Sequence, residues 1–120
     1  WQRAELEEIF RHHGVPVGGD TSKGMEGLLE GGNSHLAMVS HPGVRDLMMV
    51  AHCLRIEHYQ MAAYEIATAL ASGIGFRAEA GVLGRLLELE EDAAAALETL
   101  EPRIFDRACE PLVLPSILSA

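Results

Sequence analysis

Aromatic residues, cysteines and long apolar runs are all scarce in this chain of 120 residues. Aromatic side chains make up 5% of the sequence, and short alternating β-type patterns are absent, so abundant Leu and Ala predict helices rather than sheets. Cys53 and Cys109 lack zinc-finger spacing and are expected to be reduced thiols. No segment reaches the ~20 continuous apolar residues of a membrane span, and no signal-peptide pattern opens the chain. These absences predict an all-α, soluble, cytoplasmic protein.

Basic residues are also few, with nine Lys and Arg against eighteen Asp and Glu, which gives a net charge of -9 when histidines are neutral. The basic residues are scattered along the chain and form no positive patch. Nucleic acid and anionic membranes both require such a patch, so we expect neither as a partner. An acidic chain is compatible with cation binding, and the positions of its acids decide where.

Glycine and proline divide the chain into predicted helices. A partial helix at 2–13 precedes a short one at about 23–39, which Asp20, Thr21 or Ser22 is expected to cap and the pair Gly31–Gly32 to weaken. Two long helices follow, at about 43–72 and 78–100, separated by a glycine turn at 72–76 and ended by Pro102. We therefore predict a helical domain at 1–100, incomplete at its N-terminus, and an irregular tail at 101–120.

The two long helices form a predicted antiparallel hairpin, which is half of a four-helix bundle. A hairpin with long apolar stripes cannot bury both inner faces by itself, and the partial and short helices are too small to cover them. We therefore expect a homo-oligomer, because the uncovered stripe would otherwise be a large exposed apolar patch.

Polar residues interrupt the apolar stripes of this hairpin. Steps of four and three place His58 and Glu65 on the inward stripe of the first long helix. A neighbouring stripe shares Leu54, Met61 and Thr68 with the first and also holds Val50, Glu57 and Tyr64, so Glu57 and Tyr64 lie at the edge of the inward stripe. The same steps make Glu90 the only charged member of the stripe on the second long helix. Folding the chain back about residue 75 brings Glu57 and His58 level with Glu90 and Glu91. Burying a carboxylate without a partner costs free energy. We therefore expect these carboxylates to form an ion pair, to be protonated or to bind a cation.

Simpler roles compete with metal binding at each of these residues. Glu57 and Glu90 favour a cation most, because the basic residue nearest their level is Arg55, which points to a different face from Glu57. An ion pair nevertheless remains an alternative even for them. For the others the alternatives are an ion pair of Glu65 with Arg85, a solvated position for Glu88 and Glu91, and a hydrogen-bonded core position for His58.

Four motifs carry a resemblance to a known family. They are Met25-Glu26-Gly27-Leu28-Leu29-Glu30, Pro42-x-Val44-Arg45-Asp46, Arg55-Ile56-Glu57-His58-Tyr59-x-x-Ala62-Ala63-Tyr64 and Glu90-Glu91. From about residue 5 to residue 100 the chain resembles the YciE/YciF-type ferritin-like family, formerly a domain of unknown function. The resemblance implies a four-helix ferritin-like bundle, often dimeric, with a two-metal carboxylate site and an association with bacterial stress responses. It also implies that the first bundle helix and its acidic ligands are absent from this sequence.

The chain departs from the family pattern at two places near the expected site. Gln60 stands where the family commonly has an acid, and Ala93 to Ala96 replace an Ala-Asp step, so anionic oxygens are lost at both places. The remaining ligand set is Glu57, His58 and Glu90, with Glu91 or Glu65 as outer candidates. Carboxylate and imidazole suit iron, manganese or zinc. We expect a metal-binding protein with no assigned reaction; the alternative is a metal-free helical interaction or dimerisation module with a buried polar cluster.

Overall fold

The computed structural model of the protein describes residues 1–109, and this part of the chain consists of four helices joined by short turns and loops. The all-α prediction is therefore confirmed. None of the helices described is both long and apolar enough to cross a membrane. Residues 110–120 of the predicted tail lie outside the described residues. The helices are α1 Gln2–His12, α2 Lys23–Met38, α3 Pro42–Gly73 and α4 Arg77–Cys109.

Helices α3 and α4 form the predicted antiparallel hairpin, and their packing dominates the structure. The turn between them contains Gly75 at φ +87°, a left-handed conformation that glycine adopts without steric cost. Phe76 N donates a hydrogen bond to Ala71 O over 2.8 Å, which closes the turn. The side chains buried along the hairpin include Val50, Leu86 and Ala94. The turn thus lies where the glycines predicted it.

Helix α4 continues past Pro102 to Cys109, although the sequence predicted that it would end at this proline. A proline inside a helix lacks the N–H that would bond the preceding turn. Tertiary packing offsets this loss, because the last turns of α4 lie against the start of α3. A Cβ on Gly43 would be 2.8 Å from the Cα of Ala108, so the two backbones approach closely there. The expected irregular segment at 101–109 is helical for this reason.

Helix α2 packs antiparallel to the first half of α3. Ser22 Oγ caps α2 by accepting a hydrogen bond from Met25 N (3.2 Å), and it also lies 2.9 Å from the Tyr59 hydroxyl of α3. The pair Gly31–Gly32 does not interrupt α2. Gly32 instead lets α2 approach α3, since a Cβ built on it would overlap the buried ring of His52.

Helix α1 is the least embedded element, because none of its residues is buried. Its first residue, Gln2, contacts Glu90 of α4, while His13 just past its end contacts Glu79 at the start of α4. These two contacts show that α1 runs antiparallel to α4. Both ends of α1 therefore bring polar side chains to the hairpin.

Candidate metal centre

The two acids predicted to be level with each other, Glu57 of α3 and Glu90 of α4, meet in the structure. Glu90 is 4% exposed, and Glu57 is half-buried. Of the two neighbouring stripes on α3, the one that contains Val50, Glu57 and Tyr64 turns inward. Glu57 therefore lies within the interface between α3 and α4 and not at the edge of that interface.

The proximity of these carboxyl groups changes the protonation of Glu57. A hydrogen bond with the Glu90 carboxyl, burial and the negative charge of Glu90, in that order, raise the pKa of Glu57 to about 7. Two ionised carboxylates cannot hydrogen-bond to each other, because neither has a proton to donate. The contact is thus a hydrogen bond when one of the pair holds a proton. A pKa of about 7 means that Glu57 keeps this proton in a large share of the molecules at neutral pH.

Two neutral side chains complete the surroundings of Glu90. Gln2 Nε2 donates a hydrogen bond of 2.6 Å to Glu90 Oε1, and the Tyr64 hydroxyl donates one of 3.2 Å to Gln2 Oε1. Burial, and then the charge of Glu90, raise the pKa of Tyr64, so its hydroxyl keeps its proton. Gln2 thereby links the first turn of α1 to both long helices. This role could not be predicted from the sequence, because it depends on how α1 packs against the hairpin.

Within the described residues, the Glu57–Glu90 pair has no basic partner, and one of its carboxylate oxygens accepts no hydrogen bond. Among the described residues, no salt bridge involves Glu57 or Glu90. Glu57 Oε2 is buried, and no donor group within residues 1–109 hydrogen-bonds to it. A buried carboxylate oxygen without a donor is costly, and a cation removes that cost. Two carboxylates, one with a free buried oxygen, fit a hard or borderline cation better than a soft one.

The other three predicted ligands lie away from this pair. His58 lies at the exposed margin of the interface between α3 and α4, where its Nε2 is 4.0 Å from Glu98 Oε1 of α4 and its side chain is 58% exposed. Glu65 and Glu91 are exposed as well. The inward position predicted for His58 and Glu65 is wrong because the neighbouring stripe of α3 faces α4. As metal ligands, these three residues stay predictions that the pair itself does not support.

A second group with metal-ligand chemistry lies at the other end of α1. His12, His13 and Glu79 each offer one ligand atom, and these atoms lie within 4.8 Å of one another. The sequence analysis missed this group because Glu79 is far from the histidines along the chain. The one signal was the consecutive pair of imidazoles at the predicted end of α1.

The chain is similar to one described family and to one bacterial protein. The sequence profile of a family described as "Domain of unknown function (DUF892)" matches residues 1–110. Protein YciF of Escherichia coli (strain K12) is 36% identical over 67 residues, which are 56% of this chain. The matched segment spans 40% of the length of YciF, so the chain covers well under two thirds of that relative.

Proposed function

Since the chain belongs to the DUF892 family, we propose that it is a helical metal-binding protein whose ion is held between Glu57 and Glu90. The unpartnered buried oxygen of Glu57 beside the Glu90 carboxyl carries this proposal. A divalent cation bound here would neutralise the two carboxylates that meet in the interface between α3 and α4. The ion would be iron or another first-row metal, and by the resemblance to ferritin-like proteins of the YciE/YciF type the role would be protective under stress.

The surroundings of the pair support a single ion. Glu57 and Glu90 come from two antiparallel helices that pack against each other, so the backbone positions that carry the two carboxyl groups are held side by side. Gln2 already hydrogen-bonds Glu90 and orients its carboxylate, as partners of metal ligands commonly do. A two-metal carboxylate centre requires about four carboxylates and two histidines. The described residues bring only two carboxylates together here, so one cation is proposed.

The first experiment is elemental analysis after loading the protein with Fe(II) and desalting it anaerobically. We expect the Glu57→Gln, Glu90→Gln variant to retain about one ion fewer per chain than the unmodified protein, because a structural or catalytic ion requires deprotonated ligands. Gln preserves the shape of both side chains, removes the charge and replaces one carboxylate oxygen by an NH2 group, which cannot bind a cation.

The matched control is Glu30→Gln, Glu88→Gln, which changes the net charge equally at two exposed positions. This control should retain as much iron as the unmodified protein. Equal iron in the two double variants would refute binding at the pair.

A metal-free interaction module is the second candidate function, and the outer face of α3 favours it. Ile66, Leu70 and Ile74 lie at four-residue spacing and are 64%, 63% and 65% exposed. They line one shallow apolar groove together with small residues of the same helix. In this alternative, a hydrogen-bonded cluster fixes the register of the helices, and its members are Gln2, Glu57, Tyr64 and Glu90. A second copy of the chain covers the apolar groove.

Light scattering tests this self-association. We expect a dimer at micromolar concentration and a monomer for Ile66→Glu, Leu70→Glu, since two charges in an apolar interface oppose its burial. The matched control places the same charges at exposed polar positions, Asn33→Glu and Ser34→Glu, and should remain dimeric. A monomeric unmodified chain would rule out the interaction module.

A further inference from the structure

Three side chains converge where the end of α1 passes the start of α4. His12 is the last residue of α1, His13 is its C-cap, and Glu79 belongs to the first turn of α4. His13 Nε2 lies 2.7 Å from Glu79 Oε1, and His12 Nε2 lies 4.0 Å from the same oxygen. Consecutive residues can converge in this way because the backbone leaves the helix at His13, so the two rings are almost perpendicular, at 85°.

We propose that His12, His13 and Glu79 bind a divalent first-row cation such as Zn²⁺, in a site separate from the Glu57–Glu90 pair. Two imidazole nitrogens and one carboxylate oxygen form a common ligand set for this ion, which leaves a fourth position to water. Tetrahedral coordination at Zn–N distances near 2.0 Å requires ligand atoms about 3.3 Å apart. On binding the ion, the distance of 2.7 Å between His13 Nε2 and Glu79 Oε1 must lengthen slightly, and the distance of 4.0 Å between His12 Nε2 and the same oxygen must shorten.

Two of the three ligands are already held in place. The ring of His13 packs against Phe76 with 4.8 Å between ring centroids. The side chain of Glu79 is only 13% exposed. Its carboxylate already contacts the His13 ring, with 2.7 Å between Glu79 Oε1 and His13 Nε2. The side chain of His12 is 71% exposed and has the freedom to swing toward the ion.

The location of the site gives the ion a structural role. Helix α1 has no buried residue and contacts α4 across a small groove of about 160 Å³, which His12 and Glu79 also line. An ion bound by these residues would join two segments of chain that are 66 positions apart. Because it binds the docked arrangement and not the undocked one, it would stabilise the packing of α1 on α4. At the other end of α1 this packing keeps Gln2 against Glu90.

The test is a Zn²⁺ titration against a competing indicator, with the thermal melting of the same samples as a second readout. It uses Glu57→Gln, Glu90→Gln as the background, so that ions at the first pair do not contribute. We expect this background protein to bind Zn²⁺ and to melt at a higher temperature with the ion. Adding His13→Ala should weaken binding at least about tenfold and abolish the shift in melting temperature.

The matched control is His35→Ala, which removes an exposed histidine of α2 that is outside the cluster. It should bind Zn²⁺ as the background protein does. The proposal is overturned if His13→Ala and His35→Ala bind Zn²⁺ equally well. It is also overturned if Zn²⁺ raises the melting temperature of both variants by the same amount. Repeating the comparison of His13→Ala with His35→Ala in the otherwise unmodified chain keeps the test valid if the double glutamine background folds poorly. Neither outcome decides whether the Glu57–Glu90 pair binds iron.

Discussion

Replacing Gly32 by alanine is expected to destabilise the protein by about 2 to 3 kcal/mol, because the added methyl group has no space against α3. A Cβ on Gly32 would overlap the imidazole of His52, whose Cε1, Nδ1 and Nε2 are its nearest atoms. That ring is 6% exposed, so any shift that relieves the overlap changes the packing between α2 and α3. The measurement is urea unfolding of each variant, followed by circular dichroism.

The adjacent residue provides the matched control. A Cβ on Gly31 meets nothing within 4 Å, and this residue lies in the same helix. Gly31→Ala should therefore stabilise the protein by about 0.5 to 1 kcal/mol, the usual gain from replacing glycine inside a helix. Opposite signs at consecutive positions separate steric overlap from helix propensity. Destabilisation of the same size at both positions would contradict the close approach of α2 and α3.

A double-mutant cycle tests whether His52 is the obstacle. In the His52→Ala background, Gly32→Ala should cost little or nothing, because the methyl group then enters the space that the ring has left. In the part of the chain that the structure describes, Nδ1 of His52 has no hydrogen-bond partner, so removing the ring leaves no partner of that atom unpaired. If Gly32→Ala costs as much in this background as in the unmodified chain, the overlap lies with another group.

The hairpin and its acid pair were predictable because both depend on local signals. Glycines mark the turn, and α3 and α4 are continuous on either side of it. In an antiparallel hairpin the position of the turn alone decides which residues are level, since both helices rise equally per residue. Glu57 and Glu90 therefore meet where the folded-back sequence put them.

The rotation of α3 about its axis could not be predicted in the same way. Its two neighbouring stripes share Leu54, Met61 and Thr68, so their apolar content is almost the same. One stripe also holds His58, and the other holds Glu57 and Tyr64. The structure buries the second, in which Tyr64 reaches Gln2 of α1. That contact depends on tertiary packing, which a pattern within one helix does not contain.

The packing of α1 on α4 explains why the second cluster was missed. Once Gln2 is known to contact Glu90, equal rise along two antiparallel helices places His13 beside Glu79, as observed. Without that first contact, nothing in the sequence relates the two ends of α1 to α4. Pro102 is a similar case, since its effect on α4 is overridden by the packing of Ala108 against Gly43.

The metal-free protein is expected to lose stability as the pH rises from about 5 to 8, relative to a Glu57→Gln variant. The folded state raises the pKa of Glu57 from 4.5 to about 7. Below pH 4.5 the Glu57 carboxyl is protonated in both the folded and the unfolded state, so its titration does not change the free energy of unfolding relative to Glu57→Gln. Between the two values the unfolded chain loses the proton first, so folding is penalised increasingly, and above pH 7 the penalty is complete.

Chelator-treated protein at pH 5 and pH 8 provides the measurement, again by urea unfolding. Glu57→Gln should be more stable than the unmodified chain by about 1 to 2 kcal/mol at pH 8, after allowance for the partial exposure of this carboxyl, and nearly equal to it at pH 5. Comparing the two proteins at each pH cancels the titration of other groups, including Glu79, whose lowered pKa acts in the opposite direction. A difference that does not change with pH would contradict the shared proton.

A bound cation should reverse this order at high pH. A metal ion requires both carboxylates to be ionised, so it competes with the proton on Glu57 and binds more tightly as the pH rises through 7. With Fe(II) present under anaerobic conditions, the unmodified chain should become the more stable protein at pH 8, while Glu57→Gln gains less. The same acid pair that weakens the metal-free fold at neutral pH would then strengthen the metal-bound one. If Fe(II) leaves the order unchanged, the pair serves as the polar cluster of an interaction module.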